Sequence, residues 1–219
     1  MQAAIFDMDG LLIHSEPFWK QAEQAVFSAL GVPITPQETD LTAAMTTQQV
    51  TEYWYQKYPW AGHSQQEVEQ RVINQVSHLI QHQGEAMAGV RYTLQSLASK
   101  GVKIALATNS PKSIIPFVFE RLDIGHFFLT YSSADEVEYG KPNPDIYLLT
   151  LSKLGVRAQD CLSFEDSVGG IKASLAAGIK SIAIPHSHEF DDEKFNIASH
   201  KLRSLSEFDY SLGRQLLSA

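Results

Sequence analysis

The chain has 219 residues, with 17 Lys and Arg against 25 Asp and Glu, a formal net charge of −8 and a hydrophobic fraction of 44%. That length allows one or two domains with a sizeable core, and the hydrophobic share excludes a mainly disordered chain. The acidic balance argues against a nucleic-acid binder and against docking on anionic membranes, while a local site can still take an anionic small molecule.

Residues 3–6 form a short apolar run that stops at Asp7-Met8-Asp9-Gly10, the pattern of a buried strand ending in a loop. Trp19, Ala22, Val26, Ala29 and Leu30 then recur at helical spacing, with Gly31 as the stop signal. Val68, Val72, Val76 and Ile80 make a second helical stripe. Between residues 14 and 81 no clear strand is predicted. From Met87 the rhythm changes. Strands are predicted at residues 102–107, 127–131, 161–164 and 181–184, alternating with helices at 92–99, 114–122, 146–154 and 170–177. Such alternation implies a parallel sheet covered on both faces, with the first strand in that sheet and the helical stretch inserted after it. Residues 186–193 read as a polar, acidic loop, and residues 202–217 as a closing segment without obvious chemistry. The single Cys161 permits no intrachain disulfide, which suits a reducing compartment, and it reads as a buried strand residue. The N-terminal residues lack the pattern of a secretion signal, and no apolar run approaches the ~20 residues that cross a bilayer. A soluble, cytoplasmic monomer is expected.

In an open parallel sheet, ligands bind beyond the carboxyl ends of the strands. The residues there are Asp7 and Asp9 after the first strand, Thr108 and Asn109 after the second, Gly140-Lys141-Pro142 near the next crossover, and Glu165 with Asp166 after the fourth. Each has an ordinary explanation alone: a turn, a helix cap, a surface lysine, a charge pair at a helix start. Together they put four acids, a hydroxyl and a lysine on one edge, and clustered carboxylates repel unless a cation neutralises them.

Asp7-Met8-Asp9-Gly10-Leu11, Ala107-Thr108-Asn109-Ser110, Gly140-Lys141-Pro142-Asn143-Pro144-Asp145-Ile146-Tyr147 and Phe164-Glu165-Asp166-Ser167 resemble, in order, the four motifs of the haloacid dehalogenase (HAD) superfamily. The resemblance spans nearly the whole chain and is weakest over residues 35–83 and after His186. The inserted helices resemble the cap of the subgroup that holds sugar-phosphate phosphatases and beta-phosphoglucomutase. The run from Ala4 through Ile13, followed by Ser15-Glu16-Pro17, is similar to the bacterial 2-deoxyglucose-6-phosphate/hexitol phosphatase type.

The resemblance implies a Rossmann-like, doubly wound α/β core from residues 1–13 and 84–219, with a helical cap at 14–83. It implies an Mg2+-dependent phosphomonoesterase acting on a small sugar or polyol phosphate. Asp7 would be the nucleophile that becomes an aspartyl phosphate, and Asp9 the acid and base. Thr108, Asn109 and Lys141 would hold the phosphoryl group, with Pro142 directing Lys141. Asp7, the Asp9 main-chain carbonyl and Asp166 would hold Mg2+, with Glu165 as a further ligand or support. Trp19 and Glu16, just past the hinge, are further candidates for substrate contact. The cap aromatics Phe18, Trp19, Tyr53, Trp54, Tyr55, Tyr58 and Trp60 are read chiefly as cap core.

Three departures matter. His14 stands where the family usually has Asp, opening the idea of a pH-sensitive hinge. Trp19 stands near the mutase subgroup's acid/base His and cannot do that job, which favours hydrolysis over a phosphosugar mutase. A cap Gly-x-Arg is replaced by Ala44-Met45-Thr46, leaving Lys57 or Arg71 as substitutes. A dehalogenase would need neither Asp9 nor Asp166. A phospho-accepting signalling module would lack both Asp9 and the cap. Gly169-Gly170 lacks the spacing of a dinucleotide fingerprint and is read as letting a helix start lie close to the sheet.

Overall fold

A computed structural model describes residues 1–39, 41–42 and 45–218. Six parallel strands form one sheet in the order β3-β2-β1-β4-β5-β6. They are β1 (Ala3–Phe6), β2 (Lys103–Thr108), β3 (Thr130–Ser133), β4 (Cys161–Glu165), β5 (Lys180–Ala183) and β6 (His200–Lys201). The expected doubly wound core is therefore present. Side chains of β1 alternate as the two-residue period requires. Ala4 and Phe6 join one hydrophobic cluster, and Ala3 and Ile5 join the other. The first cluster includes Leu94 and Leu97 of α5 (Val90–Ser99) and Val118 of α6 (Ile115–Leu122). The second includes Ile146 and Leu151 of α7 (Asp145–Leu154) and Ala173 of α8 (Val168–Ala176). The terminal helix α9 (Tyr210–Ser218) covers the first face, where Leu212 and Leu216 pack against the core.

Two strand assignments change. The expected strand at 127–131 begins only at Thr130. Phe127 and Phe128 instead lie in and beside a 3-10 turn, and Phe128 stacks on Phe119 at 4.7 Å and meets Phe6 edge-on at 6.5 Å. Phe127 and Phe128 thus pack against the core beside the sheet, and the edge strand itself is built from Thr, Tyr and Ser. The short β6 lies just before the segment read as featureless closure.

Between β1 and α5 the chain inserts α1 (Glu16–Ala29), α2 (Pro36–Thr39), α3 (Thr47–Lys57) and α4 (Gln65–Gln83). Helices α3 and α4 start on capping boxes, Thr46 with Gln49 and Ser64 with Glu67, which satisfy first-turn N–H groups. The stripe Val68, Val72, Val76 and Ile80 is buried as expected, and Phe27, Trp54 and Trp60 form an aromatic core with Tyr53, Tyr55 and Tyr58 around it. The two links to the sheet run antiparallel. His14 N–H donates to the Glu85 carbonyl at 3.0 Å, and Met87 N–H to that of Leu12 at 3.0 Å. His14 is exposed, and its side chain makes no hydrogen bond among the described residues.

Candidate active site

The carboxyl end of β1 sits where the sheet order reverses, since β2 and β4 flank it. Loops after β1, β2 and β4 therefore converge, as open α/β sheets require of a ligand site. They form the floor of a cavity of about 540 Å3 whose other wall comes from α1 and α3 of the insertion.

Asp7, Lys141 and Glu165 form its buried centre. Lys141 Nζ donates to Asp7 Oδ1 at 2.5 Å, to Glu165 Oε1 at 2.6 Å and to the Ala107 carbonyl at 2.8 Å. Glu165 is fully buried, and its Oε1 also accepts from the Tyr147 hydroxyl at 2.5 Å, while its Oε2 has no partner among the described residues. Asp7, Glu165 and Asp166 each bring a carboxylate oxygen within 4.8 Å of the others. Burial pushes the Asp7 carboxyl up to about 8 against the attraction of Lys141. Asp166 keeps part of its surface on the cavity, yet the surrounding protein and the charges of Asp7 and Glu165 hold its carboxyl well above the usual range. Burial works to lower the pKa of Lys141, but Asp7 and Glu165 outweigh it and hold the ammonium charged. One lysine thus faces three acids, a hard-oxygen set short of positive charge.

Two glycines make room for this cluster. Gly10 has φ +74°, and a Cβ there would fall 2.1 Å from Asp166 Oδ2. A Cβ on Gly170 would fall 1.8 Å from Glu165 Oε2, whereas Gly169 has open space around it. The close packing read into the glycine pair therefore belongs to Gly170, and what packs there is the Glu165 side chain.

Asp9 is held from three sides. Ser15 Oγ and Trp19 Nε1 donate to Oδ1 at 2.5 and 3.0 Å, and Ser110 Oγ donates to Oδ2 at 2.5 Å. Trp19 thus packs against the hydrophobic core, as read, and in addition donates to Asp9. Thr108 is buried at the end of β2, its hydroxyl accepting from Ser110 N–H at 3.0 Å and lining the cavity. The Asn109 side chain pairs with the Lys141 backbone, accepting from its N–H at 2.7 Å and donating to its carbonyl at 3.1 Å. Asn109 therefore fixes the lysine loop through its amide, and the Lys141–Pro142 peptide is cis.

Sequence reasoning gave no role to Ser15, Ser110, Tyr147 or His186. The first three lie within the quoted runs, but their contacts depend on how the loops fold back. His186, after β5, lines the cavity with Nε2 3.2 Å from Glu16 Oε2. Neither proposed arginine substitute reaches the cavity. Lys57 pairs with Glu38 at 3.1 Å and lies over Trp54, while Arg71 contacts His63 at 3.2 Å. Met45 does line it, and Ala44 lies outside the described residues. Cys161 is buried, with its thiol pushed up to about 11 by burial, which fits a structural residue.

The Glu16–His186 contact ties α1 to the loop after β5 and carries a pH signature. Contact with Glu16 raises the imidazole pKa and lowers that of the carboxyl. A raised folded-state pKa gives stability that is full below the unfolded pKa and lost as pH rises through the folded one. Glu16 is 46% exposed, so the pair is worth less than about 1 kcal/mol. His186→Asn should melt slightly below wild type near about pH 6 and together with it near about pH 9, as read by thermal melts at both.

Residues 4–184 match the model of the haloacid dehalogenase-like hydrolase family. The chain belongs to that family. It is 40% identical over 206 residues to hexitol phosphatase B of Escherichia coli K12, covering 94% of this chain and 93% of that protein. It is 32% identical over 192 residues to the phosphorylated carbohydrates phosphatase of Thermotoga maritima, with 83% and 84% covered. The fold matches the crystal structure of CbbY from Rhodobacter sphaeroides in complex with phosphate at a TM-score of 0.86 and 23% identity, covering 94% and 96% of the two chains. Family and named phosphatases together make this HAD-type chain a phosphatase.

Proposed function

We propose that the enzyme hydrolyses a small sugar or polyol phosphate through an aspartyl-phosphate intermediate on Asp7, with Mg2+ as cofactor. The observation that supports this most is the buried Lys141 shared by Asp7 and Glu165, beside Asp166 and open to the cavity that Asp9 also lines. A structural ion pair would need one acid, not three. The identity to hexitol phosphatase B supports the substrate class.

An Asp7 oxygen forms a bond to phosphorus as the bond to the substrate alkoxide breaks. Asp9 gives the departing oxygen its proton, then takes one from the water that attacks the aspartyl phosphate and releases inorganic phosphate. The hydroxyls of Ser15 and Ser110 can turn from donors to acceptors as Asp9 changes protonation. The Thr108 hydroxyl, the Asn109 N–H and the Lys141 ammonium hold the phosphoryl oxygens, where charge develops. Asp7, Asp166 and the Asp9 main-chain carbonyl would hold Mg2+, with the orphaned Glu165 oxygen close behind. Once bound, the ion would supply the positive charge that the one lysine leaves lacking. Residues 14–83 act as a cap on the core formed by residues 1–13 and 84 onward, moving on the paired links near 12–15 and 81–89 and excluding water when closed. The only partner this chemistry needs is the small phosphate ester, and a cytoplasmic monomer suffices. Among the described residues no helix is long and apolar enough to cross a membrane.

Phosphate release from hexitol phosphates, hexose 6-phosphates, phosphoglycolate and glucose 1-phosphate, with Mg2+ and with chelator, tests the reading. Release that requires Mg2+ and is fastest with the first two is expected. Isomerised glucose 1-phosphate without release would mean a mutase, and stable phosphorylation without turnover a signalling module. The indole bonded to Asp9 speaks against a mutase, since the second acid and base is missing there. Trp19→Phe keeps the ring and removes one hydrogen bond of Asp9. It should lower kcat about tenfold with a smaller change in KM, as steady-state kinetics on the best ester would measure.

A further inference from the structure

Helix α1 presents Glu16, Trp19, Lys20 and Glu23 to the cavity, the three- and four-residue spacing that places side chains on one helix face. The first two are accounted for by His186 and Asp9. Glu23 is not. It is only 8% exposed, and its carboxyl makes no hydrogen bond or ion pair among the described residues. Burial drives it up to about 7, with the charge of Lys20 opposing. The same cavity is lined by Thr42, Met45, Thr47 and Val50, which can shape a pocket but offer no cation, and by Lys20, whose charge acts on the Glu23 carboxyl.

A carboxyl this buried, with only the cavity to solvate it, is held at a cost that folding alone gives no reason to accept. Leu at this position would extend the apolar stripe of α1 toward Phe27 and stabilise the helix bundle. The carboxyl is therefore matched to something that enters the cavity and brings donors. The floor takes the phosphoryl group, so the part of the substrate that meets α1 is the part remote from phosphate. Hydroxyl groups there would donate to Glu23 and satisfy it. A carboxylate or second phosphate there would set like charge against it in a site of low dielectric.

We propose that Glu23 is a specificity-determining residue that accepts hydrogen bonds from hydroxyls at the non-phosphorylated end of the substrate, so that the enzyme selects neutral, polyhydroxylated phosphate esters over esters whose tail carries a second anionic group. The proposal rests on the phosphomonoesterase reading above, and its test separates the two.

The test compares kcat/KM for a hexitol phosphate, phosphoglycolate and p-nitrophenyl phosphate, which has no hydroxyl, in wild type, Glu23→Gln and Glu23→Leu. In Glu23→Leu the ratio of hexitol phosphate to p-nitrophenyl phosphate should fall at least about tenfold. In both variants the ratio of phosphoglycolate to p-nitrophenyl phosphate should rise severalfold. Glu23→Leu should melt no lower than wild type, which separates the effect from misfolding. If all three esters are hydrolysed and both ratios stay within twofold of wild type in both variants, Glu23 has no role in selection and the proposal is overturned. If wild type fails to hydrolyse p-nitrophenyl phosphate and the hexitol phosphate alike, the phosphatase reading falls first and takes this proposal with it.

Discussion

Asp7→Asn is expected to lower kcat by more than about 10^4-fold while leaving a folded protein. The amide keeps the shape of the carboxylate but has no oxygen able to form and release a bond to phosphorus at a useful rate. Stability should move the other way. Burial holds the Asp7 carboxyl at about 8 in the folded chain, against an ordinary value near about 4. A folded-state pKa raised for an acid means that stability falls as pH rises between those two values. In metal-free protein the Asn variant should therefore melt at or above wild type at pH 8, because it never needs to ionise there. Activity assays with melts at pH 5 and pH 8 would check both halves. A variant that is inactive because it is unfolded would contradict the assignment.

The second large effect falls on Lys141. Its Nζ lies within 2.6 Å of both Asp7 and Glu165, and Glu165 is fully buried. Lys141→Met keeps the stem and removes the charge, leaving two buried carboxyls without a cation. The expected cost is about 3–5 kcal/mol of folding stability, together with at least about 10^3-fold in kcat. Adding Glu165→Gln should return part of the stability and none of the activity, because the amide needs no counter-charge while the phosphoryl group still lacks its lysine. Chemical denaturation of the single and double variants measures this directly. An unchanged unfolding midpoint in Lys141→Met would mean that the ammonium is not the neutralising charge of the cluster.

The residues proposed to bear the chemistry were legible in the sequence because the chemistry restricts their type and the sheet restricts their place. Asp7, Thr108 and Glu165 each stand at or just past the end of a strand that is buried on both faces, and buried parallel strands are the easiest elements to read. The supports around them were not legible. Ser15 reads as a hinge residue until the loop folds back on Asp9. Trp19 was legible as a residue near the site, but its bond to Asp9 was not, because that depends on how α1 is turned toward the loop after β1. Glu23 sits in a helix whose amides Gln21 and Gln24 are exposed, so its burial has no local signature. The run Phe127-Phe128-Leu129 misled for a related reason. Apolar residues in a turn that packs against the core have the same composition as residues inside a strand, and only tertiary packing distinguishes them.

Whether Asp7 carries the phosphoryl group between substrate and water is tested most directly by the stereochemical course at phosphorus. With a phosphate ester made chiral at phosphorus by oxygen isotopes and one sulfur, each in-line displacement inverts the centre. Two displacements through Asp7 give net retention in the released thiophosphate, which is the expected result. Net inversion would mean that water attacks the substrate directly, and it would contradict the assignment of Asp7 as nucleophile whatever the loss of activity in Asp7→Asn.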